Sequence, residues 1–133
     1  MKERPLILIP LTEYGIPSGN YDGSSETSFG STVQKGVTYY LRNKSFQTIR
    51  FQVDDFVGTI DIYGSLDTEP SNGTDTTDWF NMYTFPTDDS SSLDGSTAVS
   101  ADFSVAVNGR VTWIKAIVNN FTGGTITQVT MSY

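Results

Sequence analysis

Chemistry in this chain would have to come from carboxylates, because histidine and cysteine are both absent. Their absence removes the usual neutral-pH general base, thiolate nucleophiles, disulfides and sulfur-ligated metals. Asp54 and Asp55 are the only adjacent acids inside a strand pattern. Glycoside hydrolysis needs two carboxyls about 5–10 Å apart across a sugar ring. Successive strand side chains point to opposite faces, so this pair could meet one substrate only where the strand bends. Asp61 faces away from Ile60 and Ile62, a solvated position. Asp75 and Asp78 share one polar loop, and Asp88, Asp89 and Asp94 share the next. Calcium takes about six to eight oxygens, which acidic loops can supply. Neither DTTD nor DDSSSLDG has the spacing of a defined calcium loop. Solvated loops are the simpler account, so no catalytic residue, metal or cofactor is expected and the chain reads as a non-enzyme.

The aromatics could do recognition chemistry instead. In DWFNMYTF (78–85), Trp79, Tyr83 and Phe85 share one face by strand parity, with Phe80 and Met82 on the other. In RVTWIKAIV (110–118), Ile114, Ala116 and Val118 line one face, while Trp113 and Ile117 sit opposite. A two-layer β protein should show one apolar and one polar face per strand. Apolar residues on both faces mean that part of the outer surface is covered by an N-terminal arm, by a sugar stacked on rings, or by other subunits. Core packing accounts for most large apolar residues. The remainder is hidden more economically by protein than by ligand, since large exposed apolar patches mark interaction sites. Phe80, Met82, Trp113 and Ile117 are therefore candidate interface residues. The sugar reading would use Trp79, Tyr83 or Trp113 as a stacking platform, with Asp61 or Asp78 accepting hydroxyl hydrogen bonds.

These residues are carried by a chain of 133 residues, the size of one domain. At that size about two thirds of the unfolded surface can be buried. Fifteen acids against eight scattered bases give a formal charge of −7. Such a surface repels phosphate backbones and anionic lipid, so neither nucleic acid nor membrane is an expected partner. The opening MKERPLILIPL has too short an apolar stretch, and no small-residue cleavage site, for a signal peptide. The expectation is a soluble, unprocessed protein.

Residues 1–35 differ in texture from residues 36–133. Pro5, Pro10 and Pro17 punctuate the first part, and SGNYDGSSETSFGST (18–32) offers only Tyr21 and Phe29 as large apolar residues. Alone, it cannot offset its ordering entropy. It reads as an extended arm, flexible or laid along something else, with Leu6, Ile7, Leu8 and Ile9 as its anchor. From Gly36 onward strand follows strand: GVTYYLRN (36–43), QTIRFQVDDF (47–56), GTIDIYGSLD (58–67), DWFNMYTF (78–85) and AVSADFSVAV (98–107). Asn108-Gly109 reads as a type I′ hairpin turn. RVTWIKAIVNNF (110–121) is its return strand, and Thr122-Gly123-Gly124 a second tight turn before TITQVTMSY (125–133). There, Val129, Met131 and Tyr133 share a face that Ile126 misses, which predicts a bulge or register slip near Thr127. No helical stripe appears. The expected fold is all-β: an antiparallel β-sandwich, jelly-roll-like, over 36–133, with the N-terminal arm outside it.

GTIDIYGSLD, DWFNMYTF and VNGRVTWIKAIVNNFTGGTITQVTMSY together resemble the small β-sandwich structural proteins of tailed bacteriophages. Those proteins share a strand ending Gly-Ser-Leu-Asp, a Trp in the next strand, an Asn-Phe-Thr-Gly-Gly-Thr-Ile turn and a terminal Tyr. The match covers residues 58–133 and is a pattern of strands and turns. It implies a non-enzymatic virion component: a capsid decoration or cement protein first, with a neck, baseplate or fibre part as the alternative. It also implies self-association, often as trimers, and docking on major capsid or tail proteins. A carbohydrate-binding module for host adhesion is the competing reading from a different class.

Overall fold

The computed structural model describes residues 6–17, 21, 23, 29–30, 34–35, 46–66, 77–85, 98–109 and 111–132. The expected strand at 36–43, Tyr133 and the acids Asp75, Asp88, Asp89 and Asp94 lie outside them. The described residues form antiparallel strands and no helix. In chain order they are β1 (Leu6–Ile9), β2 (Thr12–Glu13), β3 (Phe29–Gly30), β4 (Gln34–Lys35), β5 (Phe46–Ser65), β6 (Phe80–Phe85), β7 (Val99–Asn108) and β8 (Trp113–Ser132).

Two long strands organise everything. β5 and β8 run antiparallel along their whole length, from Thr48 opposite Ser132 to Ser65 opposite Trp113. On its far edge β5 carries β7 along its first half and β6 along its second. The far edge of β8 carries β1, β2, β3 and β4 in turn. The described strands of the N-terminal segment thus lie along the chain's own sheet, from Leu6 opposite Met131 to Lys35 opposite Trp113.

Both long strands bend midway. Ile49, Phe51 and Val53 are buried at odd positions, and Phe56, Ile60 and Ile62 at even ones. The parity changes across Asp54 and Asp55, where the pairing with β8 shifts register. Asp55 has φ 52° and, across the pair, Asn120 has φ 55°. Asp and Asn tolerate this left-handed conformation better than other side chains. Gly124 (φ 83°) lies against Asp55 so closely that a Cβ there would overlap the Asp55 carbonyl.

The bend corrects two expected turns. Thr122-Gly123-Gly124 does not fold the chain back, because β8 passes through it uninterrupted. Gly124 serves the close approach to the β5 bulge instead. Asn108-Gly109 is no hairpin either: β7 and β8 are not paired with each other. Asn108 lies opposite Phe46, whereas Trp113 lies opposite Ser65 at the other end of β5. Gly109 has a positive φ of 149° and Asn108 does not, so the type I′ requirement is unmet. The segment crosses from one end of β5 to the other, held by the Thr112 amide donating to the Ser65 carbonyl at 3.0 Å. The expected slip near Thr127 is present, since Gln52 faces Gln128 while Val53 faces Ile126.

One apolar core draws on both halves of the bent sheet. Phe51, from the first half of β5, stacks on Phe85 of β6 with centroids 4.6 Å apart and planes 8° off parallel. Tyr83 and Phe103 extend this stack. At the bend Phe121 is the hub of a second aromatic group, contacting Tyr14, Tyr21, Phe29 and Phe56. The Tyr21 hydroxyl accepts the Gly15 amide at 3.0 Å. Tyr21 and Phe29, the only large apolar residues of their stretch, are thus both packed in the core, and aromatic contacts of this kind add to simple area burial.

Candidate interaction surface

The carboxylates resolve into structural groups. Asp54 and Asp55 do lie at a bend, and both are exposed. Ser100 on β7 joins them: its Oγ accepts the Asp55 amide at 3.0 Å and lies 3.2 Å from Asp54 Oδ1, to which it donates. That arrangement clamps the bulge to the neighbouring strand. Asp61 sits in a polar row on the face opposite the core. Its Oδ1 accepts from Thr84 Oγ1 and its Oδ2 from Asn119 Nδ2, each at 2.8 Å. The three residues belong to β6, β5 and β8, so the row ties those strands side chain to side chain. Among the described residues no three acids gather to hold a metal ion.

The same outer face answers for Trp79 and Lys115. Lys115 lies between the core-facing Ile114 and Ala116, on the opposite side of β8, yet it is fully buried. Its Nζ sits 4.3 Å from the centroid of the Trp79 ring, within cation–π range. Trp79 is itself 8% exposed and Tyr83 belongs to the aromatic stack, so neither presents an open ring to a sugar. Trp79 does not share a face with Tyr83 and Phe85. The β5–β6 register shifts between Ile62 and Tyr63, so Met82 is an extra residue and parity changes across it. A single-residue bulge of this kind leaves no mark in the spacing of apolar residues.

The candidate interface residues fall into two sets. Leu8, Ile9 and Ile117 are buried within the chain, and Leu6 and Met82 pack partly against the core. Trp113 is half-buried. Ile7, at 50%, and Phe80, at 45%, are exposed. Sequence reasoning missed Leu11 and Ile16, which are exposed like Ile7 on the N-terminal segment, and Phe103 on β7. Nothing in strand parity marks Phe103, because it shares a face with Ala101 and Val105; among the described residues that strand lies at the sheet margin.

β7 is that margin. Among the described residues it pairs with β5 alone. On its outer face the Arg50 guanidinium forks onto Asp102, Nε to Oδ1 at 2.7 Å and Nη2 to Oδ2 at 2.6 Å. These bonds raise the Arg50 pKa and lower that of Asp102.

No protein-family model, curated protein or solved structure matches the chain. The surface must therefore be read from its own chemistry.

Proposed function

We propose that this protein is a non-enzymatic structural component of a bacteriophage particle, a capsid decoration or cement protein that self-associates and docks on a larger shell. Its bent sheet is then a jelly-roll-like sandwich, closed where Phe51 of one half meets Phe85 of the other. The observation that carries the reading is the N-terminal edge. Ile7, Leu11 and Ile16 are exposed apolar side chains on a segment already held by buried Leu8, Ile9 and Tyr21. A pinned segment with outward apolar groups offers a docking surface with little ordering entropy left to lose. Modest contacts of that kind, repeated over a symmetric lattice, gain affinity through effective concentration. The resemblance over residues 58–133 supports the same role, and a neck, baseplate or fibre position would use the same edge.

Mass spectrometry and reconstruction of purified particles test the proposal. The expected result is the protein in symmetric, stoichiometric copies on the shell, with Ile7→Asp and Leu11→Asp reducing incorporation. Absence from particles overturns the reading. Specific hits on a glycan array, with no incorporation, transfer it to host adhesion.

A further inference from the structure

We infer that β7 is a self-association edge: a second copy of this chain pairs its own β7 antiparallel to it, about a two-fold axis at Phe103. The inference deepens the assembly reading above and rests on it for its purpose.

Among the described residues β7 has no paired strand on its outer edge, and its geometry invites one. It has ten residues, contains neither proline nor glycine, and pairs without a bulge from Phe46–Asn108 to Val53–Ala101. Long regular edges are templates for another strand, and proteins normally blunt them with charge, proline or a bulge. The apolar row of β7 is also incompletely covered. Val99, Ala101 and Val105 are half-buried, and Phe103 is 41% exposed although its ring borders those of Tyr83 and Phe85. A second copy would continue the aromatic stack from Phe103 to its twin.

Charge selects the occupant. At −7, two copies of the chain repel over most of their surface. A contact between identical molecules needs a patch free of net charge. Asp102 is the one charged residue in β7, and Arg50 matches it; Asp54 and Asp55 stand beside Ser100 towards one end of the strand, outside its central residues 101–105. A basic partner would be drawn to the acidic surface elsewhere and not to the neutral centre of this edge.

Charge also selects the register. Centring on Phe103 sets Asp102 against Ser104 of the second copy, Ala101 against its Val105, and Val99 against its Val107. Apolar residues then face apolar ones, and no carboxylate faces another. Centring on Asp102 would oppose two carboxylates, which is unfavourable in a cross-strand pair.

Sedimentation velocity of the full chain over a concentration series tests the inference without particles, so its outcome and that of the assembly reading are separable. The expected result is a concentration-dependent monomer–dimer equilibrium. Ser104→Asp, which places a second carboxylate opposite Asp102 across the axis, should raise the dissociation constant about tenfold, and Ser104→Lys should lower it. Phe103→Lys, with folding checked by circular dichroism, should leave a monomer. A monomer at every concentration, a trimer, or a dimer indifferent to both the Ser104 and Phe103 changes overturns the proposal. Dissociation by Phe103→Lys with Ser104→Asp silent overturns the register and the axis with it.

Discussion

The Lys115 ammonium stands 4.3 Å from the centre of the Trp79 ring, on the side of β8 that faces away from the main core. A strand with apolar residues on both faces is thereby closed by its own chain at this point. Trp79→Ala should cost about 3–5 kcal/mol, because it removes a buried ring and leaves the ammonium in poorer surroundings. Trp79→Phe should recover most of that loss. Urea unfolding followed by circular dichroism reads both, and equal losses for the two variants would remove the ring–ammonium contact from the account.

Gly123 and Gly124 are neighbours with opposite tolerances. An added Cβ at Gly123 meets only Val57, at 3.6 Å, whereas at Gly124 it overlaps the Asp55 backbone in a left-handed conformation. Gly123→Ala should be neutral or stabilising by up to about 1 kcal/mol. Gly124→Ala should destabilise by about 2–4 kcal/mol, since backbone cannot yield as a side chain can. Thermal melts of the two variants side by side check the bend directly.

Ile7 and Ile9 differ in the same way. Ile9 is 1% exposed and Ile7 is 50% exposed. Ile9→Asp should lower stability by about 3 kcal/mol or more, through a buried unpaired charge. Ile7→Asp should stay within about 0.5 kcal/mol of the parent in solution. Chemical denaturation of both variants separates an anchoring residue from a docking one.

The Arg50–Asp102 pair sets an expected pH and salt response. Its hydrogen bonds lower the Asp102 pKa on folding, so its contribution is present above the unfolded carboxylate value, about 3.9, and fades as pH falls through the folded value. The stability gap between the parent and Asp102→Asn should therefore narrow from pH 7 towards pH 2. Both groups are exposed, so about 1 M salt should also narrow it at neutral pH. A gap that widens in acid would assign Asp102 a different role.

The alternation of Ile49, Phe51 and Val53 is enough to orient the first half of β5, and the misplaced parity of Ile126 is enough to locate the bulge at Thr127. Both are local consequences of side-chain direction. The continuity of β5 and β8 is not local. Turn residues report which backbone angles a position accepts, and Gly124 accepts a bend as readily as a reversal. Which occurs depends on Asp55, far away in the chain and directly across the strand pair. Asn108-Gly109 carries the same ambiguity. Its strong local preference yields because Val107 and Val111 are both fully or nearly buried, and the residues after it pair with the distant end of β5. For the candidate surface, the residue types were legible but their outward direction was not. Ile117 and Trp113 share parity, yet Ile117 is 3% exposed and Trp113 is half-buried, because cover comes from elements remote in sequence.

The edge carried by β8 has a kinetic consequence. Leu6 waits for Met131 and Lys35 for Trp113, so each strand of this edge pairs with residues made much later in the chain. Contacts of such high order slow folding and leave greasy strands unsatisfied until their late partner has been made. Between emergence and closure, any nascent neighbour offers the same landing place, so crowded polysomes should yield interlaced products that dilute refolding does not.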